Sequence, residues 1–209
     1  MGPVRVFPSI PVPLPHGRIL ARLGYNRHRT VLHAHHESLV ETSLRIAYGL
    51  CVPQGAVRRV AIASLEGGTV RLGTGDVFRS ASLAAFLSGS REALLLAATV
   101  GPEIVRAVNR EIAAEHASRA AIYDAVASET VDAALGWLQD YVQGQAARER
   151  AAVTKHRYSP GYGDLGLDAQ ATVFRLLELE RLGLTLTPRR MLVPEKSVIG
   201  IAGIETAGS

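Results

Sequence analysis

The sequence predicts an α+β fold, and three observations carry that prediction. Residues 56–80 hold strand-like runs broken by Gly67-Gly68 and by the turn Gly73-Thr74-Gly75-Asp76, a meander signal. Ala93 to Val100 is a continuous apolar run of strand length, fitting a buried central strand. Helical patterns occur among these strands without a regular β-then-α alternation, which disfavours a doubly wound sheet.

Taken in order, residues 1–17 carry Pro3, Pro8, Pro11, Pro13 and Pro15 and read as an extended segment that drapes over the body or lines a sheet edge. Ile19, Leu20 and Leu23 fit a short helix closed by Gly24. Leu39, Val40, Leu44, Ala47 and Leu50 form an amphipathic helix that Pro53 ends. After the meander, Ser82 is positioned to cap a short helix stopped by Gly89. Pro102 to Ala114 is helical, with Ile104, Val105 and Val108 on one face. A long alanine-rich helix runs from about Ser118 to about Arg150, with a bend expected at Gly136. Asp168 is expected to cap a helix that continues to Leu182 and stops at Gly183. Leu184 to Thr187, Met191 to Val193 and Ser197 to Ile204 then read as short strands. Small residues in the last of these would let a ligand or another backbone come close.

Composition narrows the function classes. The 209 residues are 47% hydrophobic and 20% charged, ordinary for a soluble domain. Aromatics are only 5%, so Leu, Val, Ile and Ala must fill the core. The net charge of +4 is spread along the chain, whereas a nucleic-acid binder concentrates its basic residues, so no nucleic-acid partner is expected. The basic run Arg18 to Arg29 reads as a solvated segment or a docking surface for an acidic partner. Cys51, the lone cysteine, lies in an apolar run and reads as a buried small hydrophobe; its solitude suits a reducing cytoplasm. Neither a signal-peptide pattern nor an apolar run of membrane-spanning length is present. His33, His35 and His36 do not share a helix face and no further ligand pattern joins them, so no metal site is expected. No Walker-type Gly-x-x-x-x-Gly-Lys-Ser/Thr sequence, no Gly-x-Gly-x-x-Gly following a strand and no Gly-x-Ser-x-Gly elbow is present.

One stretch has the makings of a site: Arg157-Tyr158-Ser159-Pro160-Gly161-Tyr162-Gly163-Asp164, a loop between helical patterns. Its arginine can fork onto a carboxylate, its tyrosines can cover a ring, and its glycines open the main chain to a small zwitterionic ligand. The same residues also suit a rigid surface turn.

Arg157 to Tyr162 resembles the Arg-x-x-x-Gly-Tyr signature of the activation (reactivation) domain of cobalamin-dependent methionine synthase. Leu184 to Thr187, Met191 to Val198, Arg22 to Tyr25 and Ala98 to Glu103 extend the resemblance over most of the chain. It implies a single domain over 18–204, with a short tail at 205–209, in which a twisted, mostly antiparallel sheet is flanked by helices. It further implies an S-adenosylmethionine site in which Arg157 holds the methionine carboxylate, Ser159 contacts the ligand through its main chain, and Gly161 and Tyr162 complete the wall. Asp132 corresponds to an acidic helix residue near the ligand, with Glu129 as the alternative. The implied role is reactivation of cobalamin held by a separate methionine synthase or another corrinoid protein, with an electron from a flavodoxin-like donor. The chain lacks the Asp-x-His-x-x-Gly cobalamin loop and is not a complete methyltransferase. Asp164-Leu165-Gly166 replaces the family's Ala-Cys-Pro, and Ala202 and Gly203 stand where aromatics are expected. The alternative is a corrinoid-protein-binding module of the same fold that does not bind S-adenosylmethionine.

Overall fold

The proline-rich start lies against a sheet edge. Strand β1 (Arg5–Phe7) pairs antiparallel with the opening of β2 (Gln54–Glu66), Val6 opposite Ala56. Ile10 and Val12 are then buried, and the Ile10 N–H donates to the Pro53 carbonyl at 2.9 Å. The computed structural model describes residues 2–25 and 34–206, with the backbone alone at 34–37. His33, the side chains of His35 and His36, and the part of the basic run at 26–29 lie outside the described residues. Within them follow α1 (His16–Arg22) and α2 (Ala34–Gly49).

The expected meander is β2, β3 (Thr69–Leu72) and β4 (Val77–Arg79), its first turn made by Gly67 and Gly68, both at positive φ. Helix α3 (Ala81–Phe86) is capped by Ser80 rather than Ser82. Ser80 has the extended backbone of an N-cap, and its Oγ accepts from the Leu83 N–H at 2.9 Å.

Strand β5 (Glu92–Thr99) is the sheet centre, paired with β2 on one side and β9 (Ser197–Thr206) on the other. Its residues alternate between two cores. Leu94, Leu96 and Ala98 pack beneath α2, α4 (Pro102–Ala113) and α5 (Ala117–Ala146). Ala93, Leu95 and Ala97 join a second core with Val173, Phe174 and Leu177. Both faces are covered, so an antiparallel strand reads as an unbroken apolar run.

Helix α5 is continuous through Gly136, where the sequence suggested a bend. β6 (Ala151–Val153), α6 (Ala169–Leu176), and the strand pair β7 (Thr185–Leu186) and β8 (Leu192–Val193) complete the described elements. The helix expected from Asp168 to Leu182 is divided: Glu178 takes a positive φ and a 3-10 turn covers Leu179–Leu182. The break lets Leu176, Leu177 and Leu179 all be buried. Asp168 sits at the N-cap position but makes no capping bond. The main sheet has the order β4-β3-β2-β5-β9-β6 with β1 beside β2, and every pairing is antiparallel. One domain results, with helices on both faces of the main sheet and β7 and β8 forming a separate pair.

Candidate functional site

Between β6 and α6 the chain runs along the outer edge of β9. Odd-numbered residues of β9 point their N–H and C=O groups outward, and the loop satisfies them in turn. The Thr154 N–H donates to the Gly203 carbonyl at 2.9 Å. Tyr158 and Ile201 exchange two main-chain bonds, at 2.8 and 2.7 Å. The Ser159 hydroxyl donates to the Ile199 carbonyl at 2.9 Å. Pro160 is buried, and Gly161 at φ +89 turns the chain so that its N–H reaches the Leu165 carbonyl at 2.8 Å.

Arg157 is the most constrained cation of this loop. Its stem crosses β9 at Gly200, where a Cβ would sit 3.2 Å from Arg157 Cδ. Nη1 donates to Gln139 Oε1 at 2.8 Å and Nη2 to Asp132 Oδ1 at 3.0 Å. Gln139 is buried, and its amide also donates to the Thr154 carbonyl at 2.6 Å. Asp132, Leu135 and Gln139 share one face of α5 at spacings of three and four. The second oxygen of Asp132 accepts from Arg18 Nη1 at 3.1 Å.

Glu129 is directed elsewhere. Its carboxylate takes Arg22 Nε at 2.6 Å and lies 3.6 Å from Arg18 Nε. Arg18 and Arg22 of the basic run are thus held against the carboxylates of α5.

Tyr158 and Tyr162 do different things. The Tyr158 ring packs on Phe86, 6.0 Å between centroids, and its hydroxyl donates to the Tyr162 carbonyl at 3.3 Å. The Tyr162 side chain projects into solvent, with the residue 71% exposed. Gly163 has φ +54, and a methyl there would run into the Tyr158 hydroxyl. Asp164 fastens the end of the loop to the start of α3. It accepts from the Ser80 hydroxyl, from the Ala81 N–H at 2.7 Å and from the Ser82 N–H at 3.3 Å. The Ser80 hydroxyl bond, followed by the Ser82 and Ala81 N–H groups, lowers its pKa to about 2. The departure from Ala-Cys-Pro is therefore a clamp between loop and helix.

Arg157, Ser159 and Tyr162 form one wall of a groove of about 1230 Å³. Asp132, Leu135, Met191 to Val193 and Ser197 to Ile199 line it as well. Small-ligand pockets reach roughly 1000 Å³, so a nucleoside-sized molecule fits. Lys155 and Arg189 add positive charge and Glu195 negative charge to the lining. Gly161 shapes the turn without lining the groove, and Glu129 is not part of the wall. The arrangement can hold a carboxylate at Arg157, an ammonium at Asp132 and a ring against Tyr162. Among the described residues no cluster of His, Cys, Asp and Glu could hold a metal ion, and no helix is long and apolar enough to cross a membrane.

No protein-family model matches this chain, and no curated protein matches it. Among solved structures it is similar to the MetH reactivation domain bound to AdoHcy, with a TM-score of 0.70 over 99% of this chain and 80% of that chain. The chain has the fold of the MetH reactivation domain. Sequence identity to the MetH domain is 16%, so the likeness speaks for the fold. The α+β architecture read from the sequence is the one observed.

Two residues that shape the groove were missed in the sequence. Gln139 carried a signal, lying seven residues beyond Asp132 on the same helix face. Gly200 belongs to the small residues expected to admit a close neighbour, but that the neighbour is Arg157 is visible only in the fold. At the positions expected to be aromatic, Ala202 is fully buried and a Cβ at Gly203 would already run into Ser90 and Thr154, leaving no room for a ring.

Proposed function

We propose that this chain is an S-adenosylmethionine-binding subunit that supports reductive methylation, and so reactivation, of cobalamin held by a cobalamin-dependent methionine synthase or another corrinoid protein. The observation that carries the reading is Arg157, pinned by Gln139 and Asp132 on the wall of a nucleoside-sized groove. It stands in a fold whose solved representative holds AdoHcy.

The residues suit the ligand's groups. A guanidinium fork matches the methionine carboxylate in shape and charge. Asp132 would turn from Arg157 to the ligand ammonium, its other oxygen staying on Arg18. The exposed Tyr162 ring would cover the sulfonium or the base. Ser159 would add main-chain contacts, and Gly161 would hold the turn that brings Tyr162 over the groove. Glu129 would stay with Arg22 and hold α1 beside Asp132. S-adenosylmethionine supplies the methyl group, and the chain's contribution is positioning. The partner would supply the cobalamin and a flavodoxin-like donor the electron, in the cytoplasm.

The second reading, a corrinoid-protein-binding module without S-adenosylmethionine, is favoured by one observation: Asp132 already neutralises Arg157. Calorimetric titration of the chain with S-adenosylmethionine decides between them. Saturable heat that is lost in Arg157→Ala supports the first reading. No heat, with the chain still co-eluting with a cobalamin-loaded partner, supports the second.

A further inference from the structure

Five charged side chains run in alternation from the groove wall to the last turn of α1. Arg157 Nη2 donates to Asp132 Oδ1 at 3.0 Å, and Arg18 Nη1 donates to Asp132 Oδ2 at 3.1 Å. Arg18 Nη2 also reaches the Glu129 carbonyl at 3.4 Å, and Arg22 Nε takes the Glu129 carboxylate at 2.6 Å. Arg18 Nε lies 3.6 Å from that carboxylate, so the carboxylate closer to Arg18 is Asp132. Helix α1 is anchored by the burial of Ile19 and by a 2.6 Å contact between His16 Nε2 and Glu41 of α2. Arg18 is not among the residues lining the groove; it reaches the groove's Asp132 from α1. One negative charge therefore serves two guanidiniums, and Arg157, Asp132 and Arg18 together carry a net positive charge.

We infer that Arg18 is a specificity-determining residue acting through Asp132. By sharing that carboxylate it keeps the Arg157 end of the groove cationic, so the site selects adenosyl ligands whose tail carries a carboxylate and rejects those whose tail carries an amine alone. The inference rests on the proposed S-adenosylmethionine reading. A tail carboxylate arriving at Arg157 comes close to Asp132, and the charge of Arg18 offsets the repulsion between the two anions. Without that charge, Asp132 and Arg157 cancel each other and the carboxylate gains little on entering. An amine-only tail has the opposite response: it is drawn to Asp132 and repelled by both arginines, so loss of the Arg18 charge favours it. A zwitterionic tail feels Arg18 with both signs and responds least. The side chains of Arg18 and Asp132 are each about half exposed, so water screens these effects to a modest size. Arg18 is a positioning residue in this account, since it acts on the ligand through Asp132 and through its charge.

The test measures three ligands by calorimetry: S-adenosylhomocysteine, its deaminated analogue with a carboxylate tail, and its decarboxylated analogue with an amine tail. Wild type is expected to bind the carboxylate analogue at least ~5-fold more tightly than the amine analogue. Arg18→Gln keeps a donor for Asp132 but removes the charge. In this variant the ratio between the two analogues is expected to fall at least ~5-fold, with S-adenosylhomocysteine changing less than either. Arg18→Lys keeps the charge and is expected to hold the ratio near that of wild type. A purely structural lesion would instead weaken all three ligands alike. Equal weakening of all three, or an unchanged ratio in Arg18→Gln, overturns the inference and leaves the S-adenosylmethionine reading standing. Absence of binding by all three ligands to wild type overturns both. A second measurement needs no variant: added salt is expected to shrink the wild-type ratio, because exposed charges are screened. A ratio that salt leaves unchanged contradicts the inference.

Discussion

Gln139 joins Arg157 to the long helix through a single 2.8 Å hydrogen bond, and the same amide holds the Thr154 carbonyl at 2.6 Å. One buried side chain thus ties α5 twice to the segment that carries the groove wall. Asp132 holds the other guanidinium nitrogen but is half exposed, so its contact is the more easily exchanged for a ligand carboxylate.

This asymmetry separates two substitutions. Gln139→Leu leaves the Thr154 carbonyl and Arg157 Nη1 without their partner, and is expected to lower the unfolding free energy by about 1–3 kcal/mol. Asp132→Asn breaks a half-exposed ion pair and is expected to cost less than about 1 kcal/mol. Denaturant unfolding of the two variants beside wild type checks both numbers. A larger loss in Asp132→Asn would reverse the assignment of roles.

Two glycines of β9 are expected to respond differently. A Cβ at 200 would meet Arg157 Cδ at 3.2 Å and Leu135 Cδ2 at 3.4 Å, so Gly200→Ala pushes chiefly on the arginine stem. It is expected to weaken binding of a carboxylate ligand in calorimetry with a small shift in stability. A Cβ at 203 would press on both Ser90 and Thr154, with the Ser90 Cβ at 3.0 Å. Gly203→Ala is expected to destabilise by roughly 1–3 kcal/mol through overpacking, read in thermal unfolding.

How much of this was legible in the sequence varies by element. The meander, the central strand and the long helix were visible because turn glycines, an unbroken apolar run and a 3.6-residue repeat are local signals. The break at Glu178 was not, because it serves the joint burial of Leu176, Leu177 and Leu179 against a core the local pattern does not reveal. The groove loop stood out from Arg157 to Tyr162, and the structure brings it to one groove with Met191 to Val193 and Ser197 to Ile199. The clamp by Asp164 on α3 joins residues more than eighty positions apart, and no local pattern announces it.

Asp164 also gives the fold a pH dependence of known sign. Its folded pKa lies near 2, below the ordinary 3.8, chiefly through the Ser80 hydroxyl. A lowered carboxylate pKa stabilises the folded state above the ordinary value, and this contribution is lost as pH falls through the folded one. The unfolding midpoint of wild type is therefore expected to fall more steeply between pH 4 and pH 2 than that of Asp164→Asn. Parallel profiles would show that the clamp does not form.

Cys51 is expected to be chemically quiet. Partial burial pushes its thiol pKa up to about 12, so almost no thiolate exists near neutral pH. Mass spectrometry after iodoacetamide treatment at pH 8 should find the native chain unmodified and the denatured chain fully labelled. Cys51 is half-buried rather than fully buried, so rapid labelling of the native chain would contradict the raised thiol pKa.

The most direct test of the central claim is calorimetric titration of S-adenosylhomocysteine into wild type and into Arg157→Ala. The expected result is saturable binding to wild type that falls at least tenfold in the variant, as loss of a charge-assisted contact requires. Binding of equal strength to both proteins, or to neither, would contradict the role given to Arg157.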